Sequence, residues 1–162
     1  MKKIRLLAGL AALAATPVLA ATTAHAWSDE GHASMGAGRY IQANAWHCNT
    51  FVDKCSFATS AKAFTSSSLS TAQKMSWVKN VAEVTAHGGS LSISVSNHPG
   101  ATITGTSSTK SASWTNTNTW ISDISGLSDP SWTTTYITTC STASAYSSAL
   151  GIKGSAVACA LG

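Results

Sequence analysis

Ser90-Leu91-Ser92-Ile93-Ser94-Val95-Ser96 decides the fold class, because apolar and polar residues alternate without a break over these positions. Only an extended strand sends every second side chain to the same face, so Leu91, Ile93 and Val95 point to a core and the serines to water. Gly88 and Gly89 before the strand, and Asn97 to Gly100 after it, supply turn chemistry on both sides. A second strand is expected at 101–106, with Ile103 facing in. Further on, residues 111–115, 119–124 and 132–139 are rich in Thr, Trp, Tyr and Ile, and Gly126 and Asp129-Pro130 separate them. Their β-branched and aromatic content favours strands. Short strands with turns every 8 to 12 residues or so predict an all-β domain over 72–162, a small antiparallel sandwich or barrel-like fold.

Upstream the pattern is less regular. Ser70 followed by Gln73 matches a capping box, and Trp77, Val81 and Val84 share a helical face, so a helix over 71–86 is one option. A strand over 77–86 is the other, and it is preferred because a tight Gly88-Gly89 turn would join it as a hairpin to the strand at 90–96. Residues 58–71 are rich in Ser, Thr and Ala. They are expected to form a loop between a less regular, cysteine-bearing region at 27–57 and the β-rich remainder.

The chain opens with Lys2, Lys3 and Arg5, an apolar run from Leu6 to Ala15, a break at Thr16-Pro17 and small residues ending Ala24-His25-Ala26. This is the three-part pattern of a cleaved secretory signal peptide over 1–26. The apolar run is about half the roughly 20 residues that a spanning helix needs, so no membrane anchor is expected after cleavage. Three of the ten basic residues lie in this segment, and without them seven face six acidic ones. A nearly neutral mature chain gives no reason to expect nucleic acid as a partner.

From residue 27 onward there are 26 Ser and 18 Thr but only 21 Ile, Leu, Val and Phe. So few aliphatics would permit disorder if net charge were high, which it is not, and six tryptophans argue for a packed core. Four cysteines, Cys48, Cys55, Cys140 and Cys159, make an even count suited to disulfides in an oxidising compartment. Three pairings are possible. Cys48 with Cys55 and Cys140 with Cys159 is favoured, since it joins sequence neighbours.

Trp114, Trp120, Trp132 and Tyr136 cluster within strand-like sequence. If they faced outward they would form a stacking surface for sugar rings; otherwise they fill a core poor in large aliphatics. Asp123 and Asp129 are candidates for an acid/base pair in glycoside cleavage, against ordinary hydrogen bonding at a turn and a strand end. His87 and His98 flank the strand at 90–96 and are candidates to meet. Despite abundant serine there is no G-x-S-x-G elbow, and no H-E-x-x-H, P-loop or dinucleotide fingerprint occurs.

Trp27-Ser28-Asp29-Glu30-Gly31-His32 resembles the processed N-terminus of S1/P1 nucleases and, more distantly, zinc-dependent phospholipases C. The resemblance covers these residues alone. It implies a zinc-dependent phosphodiesterase in which Trp27, through its amine and carbonyl, and His32 bind the metal. Those enzymes are helical and longer, and the remaining candidates here, His47, Asp53, His87, His98, Asp123 and Asp129, lack helical ligand spacing. A cut after Ala24 would instead expose His25, and an N-terminal histidine with a second imidazole can hold copper, as in lytic polysaccharide monooxygenases. The C-terminal half looks like that of exported bacterial proteins.

The chain is therefore expected to be a secreted monomeric protein, non-enzymatic and without a cofactor. It would bind an extracellular polysaccharide or a cell-envelope component through aromatics such as Trp114 and Trp120. The zinc enzyme is the first alternative and the copper site the second.

Overall fold

Residues 27–48 and 53–161 are described by the computed structural model, and among them every regular element is a strand. In chain order these are β1 (Ser28–Gly36), β2 (Arg39–His47), β3 (Cys55–Phe64), β4 (Met75–His87) and β5 (Leu91–Val95). They continue with β6 (Thr102–Gly105), β7 (Thr109–Thr119), β8 (Ile121–Pro130), β9 (Tyr136–Ser147) and β10 (Ile152–Leu161). Two five-stranded antiparallel sheets result, in the orders β1-β2-β3-β8-β5 and β10-β9-β4-β7-β6. They pack face to face, so the expected all-β sandwich is the observed fold.

The core that joins the sheets has two apolar parts. One is built around Ala43, Ala45, Ala61, Ala63, Ala143 and Ala145, filled in by Met35, Ile41, Met75 and Val78. Side chains this short let backbones approach. At Gly31 on β1 an added Cβ would collide with the Val157 carbonyl oxygen on β10. Asp29 Oδ2 accepts a bond from the Cys159 amide at 2.8 Å, which fastens the same side of the sandwich. The other part holds bulkier groups, among them Phe57, Val84, Leu91, Ile124 and Ile137.

A polar seam lies between the two parts. Asn80 on β4 is fully buried; its Nδ2 donates to Thr59 Oγ1 at 2.8 Å, and its Oδ1 accepts from Ser141 Oγ at 2.9 Å. A buried amide left without partners would cost about 1–3 kcal/mol, so this set of partners holds β3, β4 and β9 in one lateral alignment.

Several expectations are corrected. Residues 58–64 are not a loop but most of β3, and the irregular region at 27–57 contains β1 and β2, two regular strands of the same sandwich. Their alternation is carried by alanine, whose small apolar side chain disguises a buried position. The helix option over 71–86 fails, because β4 is a strand throughout. Gly88-Gly89 is not a hairpin turn, since β4 and β5 belong to different sheets; the pair carries the chain across the sandwich. Gly89 fits because a Cβ there would strike the hydroxyls of Ser131 and Thr134.

Ile103 lies on the inner side, opposite the buried Ala112, but is not covered there. It is 44% exposed, because β6 packs against β7 alone and extends past the opposite sheet. Gly126 does not separate strands but lies inside β8, where the Ser94 carbonyl leaves no room for a side chain. The segment at 132–139 becomes strand only from Tyr136.

Both favoured disulfides are present. Cys48–Cys55 ties the end of β2 to the start of β3, and Cys140–Cys159 joins directly paired residues of β9 and β10. Two disulfides suit an oxidising compartment. Among the described residues no helix is long and apolar enough to cross a membrane. The leader at 1–26, and with it His25, lies outside the described residues.

Candidate functional site

Strand parity decides what the first sheet shows to solvent. Because Ile41, Ala43 and Ala45 face the core, β2 turns Gln42, Asn44 and Trp46 outward. By the same rule β3 presents Ala58, Ser60 and Lys62, and β8 presents Ile121, Asp123 and Ser125. Register then sets the rows. Glu30, Asn44, Ser60 and Asp123 lie side by side across four strands, and the next row is Ser28, Trp46, Ala58 and Ser125.

The middle strand carries the shortest side chains of these rows. Ala58 and Ser60 therefore form the floor of a trough of about 720 Å³ that runs along β3. Trp46, 41% exposed, rises on its β2 wall. Ile121 and Asp123 stand on the β8 wall, and Lys62 lies at one end of the floor. The polar groups are held in place. Gln42 Nε2 donates to Glu30 Oε2 at 3.1 Å, Asn44 Nδ2 to Ser60 Oγ at 3.2 Å, and Asn97 Nδ2 to Asp123 Oδ2 at 2.8 Å. An indole flanked by amides, hydroxyls and carboxylates on a rigid sheet is suited to a ligand with apolar faces and polar edges.

The four aromatics singled out in the sequence are not brought together. Trp114 packs inward against the bulkier part of the core; its ring stacks on His98 with centroids 4.5 Å apart, and its Nε1 donates to Asn116. Trp120 meets Phe64 edge-on at the β7–β8 turn. Trp132 stands 88% exposed in the loop before β9, and Tyr136 stacks on His87 at 3.9 Å. Trp46, the tryptophan in the trough, was not among them. Its signal was the alternation Tyr40, Gln42, Asn44, Trp46 against Ile41, Ala43, Ala45, His47, which is visible once alanine is allowed as a buried residue.

Trp27 and His32 do not converge either. The Trp27 carbonyl accepts the His47 amide at 3.0 Å as part of the β1–β2 ladder. His32 lies five residues on along an extended strand, roughly 16 Å away at about 3.3 Å per residue. A single metal cannot reach both. Asp123 and Asp129 sit six residues apart on β8, about 20 Å by the same rise, and Asp129 pairs with Lys54 at 3.1 Å. His87 and His98 occupy separate stacked pairs, with Tyr136 and Trp114.

Among the described residues, one group has the spacing of metal donors: His47, Cys48 and Cys55. Both sulfurs are joined in the disulfide, which removes the thiolates a metal would need. His47 is instead a structural residue. Fully buried, it contacts the Cys48 carbonyl through Nδ1 at 2.9 Å and Ser128 Oγ through Nε2 at 3.0 Å. A carbonyl only accepts, so Nδ1 carries the hydrogen. Burial pushes the imidazole pKa below its ordinary value, outweighing the opposite pull of the Cys48 carbonyl.

No family model matches the chain, and neither a curated protein nor a solved structure matches it.

Proposed function

We propose that this chain is an exported, non-enzymatic binding domain whose ligand is a glycan seated in the trough on the first sheet. One observation carries the proposal: a half-exposed tryptophan stands beside a floor of Ala58 and Ser60, within rows of amide and hydroxyl groups. The apolar face of a pyranose stacks on an indole, and its equatorial hydroxyls reach the neighbouring polar side chains. A rigid sheet supplies this geometry with little ordering cost on binding. Export is supported by the leader-like segment at 1–26 and by the two disulfides. Trp46, and not Trp114 or Trp120, supplies the stacking contact in this reading.

Affinity electrophoresis through gels containing neutral, acidic and amino polysaccharides tests the proposal. The mature protein is expected to be retarded in at least one gel, and Trp46→Ala to lose at least tenfold in affinity. Trp132→Ala, which removes the most exposed tryptophan but lies on a loop away from the trough, should migrate like the parent. No retardation in any gel, or equal retardation of Trp46→Ala, overturns the assignment.

A further inference from the structure

We infer that the trough takes a single extended chain of a cationic amino sugar, a polysaccharide whose residues carry free primary ammonium groups; this rests on the glycan reading above and narrows it. Shape and charge support it independently. The trough is one strand wide at its floor, β3, with β2 and β8 as walls, so at about 4.8 Å per strand it spans roughly 10 Å. That accommodates one polymer chain lying lengthwise. A crystalline polymer face would need a flat row of coplanar rings, and the outer face of this sheet offers Trp46 standing up from a depression.

The charge is unequal in a way the composition does not require. Three of the chain's six acidic residues, Asp29, Glu30 and Asp123, border the trough beside one cation, Lys62; Glu30 and Asp123 stand on the outer face, while Asp29, paired with the core-facing Ala45, turns its carboxylate toward β10. Each carboxylate is oriented by a neutral N–H donor: Asp29 by the Cys159 amide, Glu30 by Gln42 and Asp123 by Asn97. These bonds fix direction without cancelling charge. The nearest cationic candidate to Asp123 is His98, whose Nε2 is 3.8 Å from Oδ1, beyond hydrogen-bond reach. Glu30 on the β1 side and Asp123 on the β8 side can therefore accept from ammonium groups of a chain stacked on Trp46, and they repel uronic acids.

Calorimetric titration of the mature protein with soluble hexamers tests the inference: glucosamine hexamer, its fully N-acetylated counterpart and cellohexaose, with hexalysine as a peptide probe. The glucosamine hexamer is expected to bind at least tenfold tighter than either neutral hexamer and tighter than hexalysine. Its affinity should fall as salt is raised. Glu30→Gln with Asp123→Asn should erase the preference. Lys62→Gln, which leaves every carboxylate and its partner untouched, should strengthen glucosamine binding and provides a second readout if the double variant misfolds. Equal or tighter binding of a neutral hexamer overturns the charge inference while the glycan reading stands. Tighter binding of hexalysine makes the trough a basic-peptide site and overturns it too. Failure of all three hexamers, together with no retardation in the polysaccharide gels, removes the underlying reading as well.

Discussion

The outer faces of the two sheets are built from the same number of antiparallel strands, and both mix short polar side chains with a few long ones. On the second sheet the middle strand, β4, turns the longer Trp77, Lys79, Val81 and Glu83 outward between shorter neighbours, so a ridge stands where the first sheet has a trough. Thr85 and Thr109 share a hydroxyl contact at 3.1 Å, and Ser111, Ser113, Thr142 and Ser144 continue the array through the paired strands. Its aromatics pair with one another near the ends: Trp77 with Tyr146, beneath Lys153, and Tyr136 with His87. On the first sheet Trp46 has no aromatic pair among the described residues and stands against Ala58 across the ladder, so a depression opens beside it. A concave site here needs no special loop. It follows from setting one large side chain next to two of the smallest on a regular ladder.

That contrast can be tested from either face. The largest effect is expected on the second, where Cys140–Cys159 crosses the outermost strand pair. Replacing both cysteines with serine should cost about 3 kcal/mol of stability, the value for a loop of this size. A lower urea midpoint would show it, with glycan affinity at 25 °C unchanged; a loss of affinity in the folded variant would mean that the second face belongs to the site.

Filling the trough comes next. Ala58→Trp should weaken glycan binding at least tenfold, about 1.4 kcal/mol, while the melting temperature stays near that of the parent. Ser113→Trp, beside the outward Val81 of β4 on the second face, should leave affinity alone. Equal losses from both would erase the distinction between the faces.

The smallest effect is expected in acid, at the end of β2 where His47 is buried. Its folded-state pKa lies below the unfolded value, near 6.5, so between the two the unfolded chain binds more protons. Stability is then level above about pH 6.5 and declines as the pH falls from there toward the lowered value. Urea unfolding across this range should show the decline in the parent and a flatter profile in His47→Gln. The same slope in both would assign the acid sensitivity elsewhere.

Much of the scaffold was legible before folding. The unbroken alternation at 90–96 announced a half-buried strand, the β-branched segments downstream announced others, and both cysteine pairs were drawn correctly from proximity. The first three strands were harder to read. Ala43, Ala45, Ala61 and Ala63 are fully or almost fully buried, but alanine is equally at home in loops and helices, so their period of two did not register as a core pattern. The trough was missed for a related reason. Tryptophans grouped by closeness in sequence, Trp114, Trp120 and Trp132, are dispersed by the fold, whereas Trp46 acquires its neighbours only through pairing with β1 and β3.

By itself, then, the sequence determined a disulfide-linked chain of short strands, because alternation, turn residues and cysteine spacing act over a few residues each. Only the tertiary structure decided that Gly88-Gly89 crosses between sheets instead of closing a hairpin, and that Glu30, Asn44, Ser60 and Asp123 form one row. Strand pairing is non-local. A shift of one residue in register would turn every one of those side chains to the opposite face.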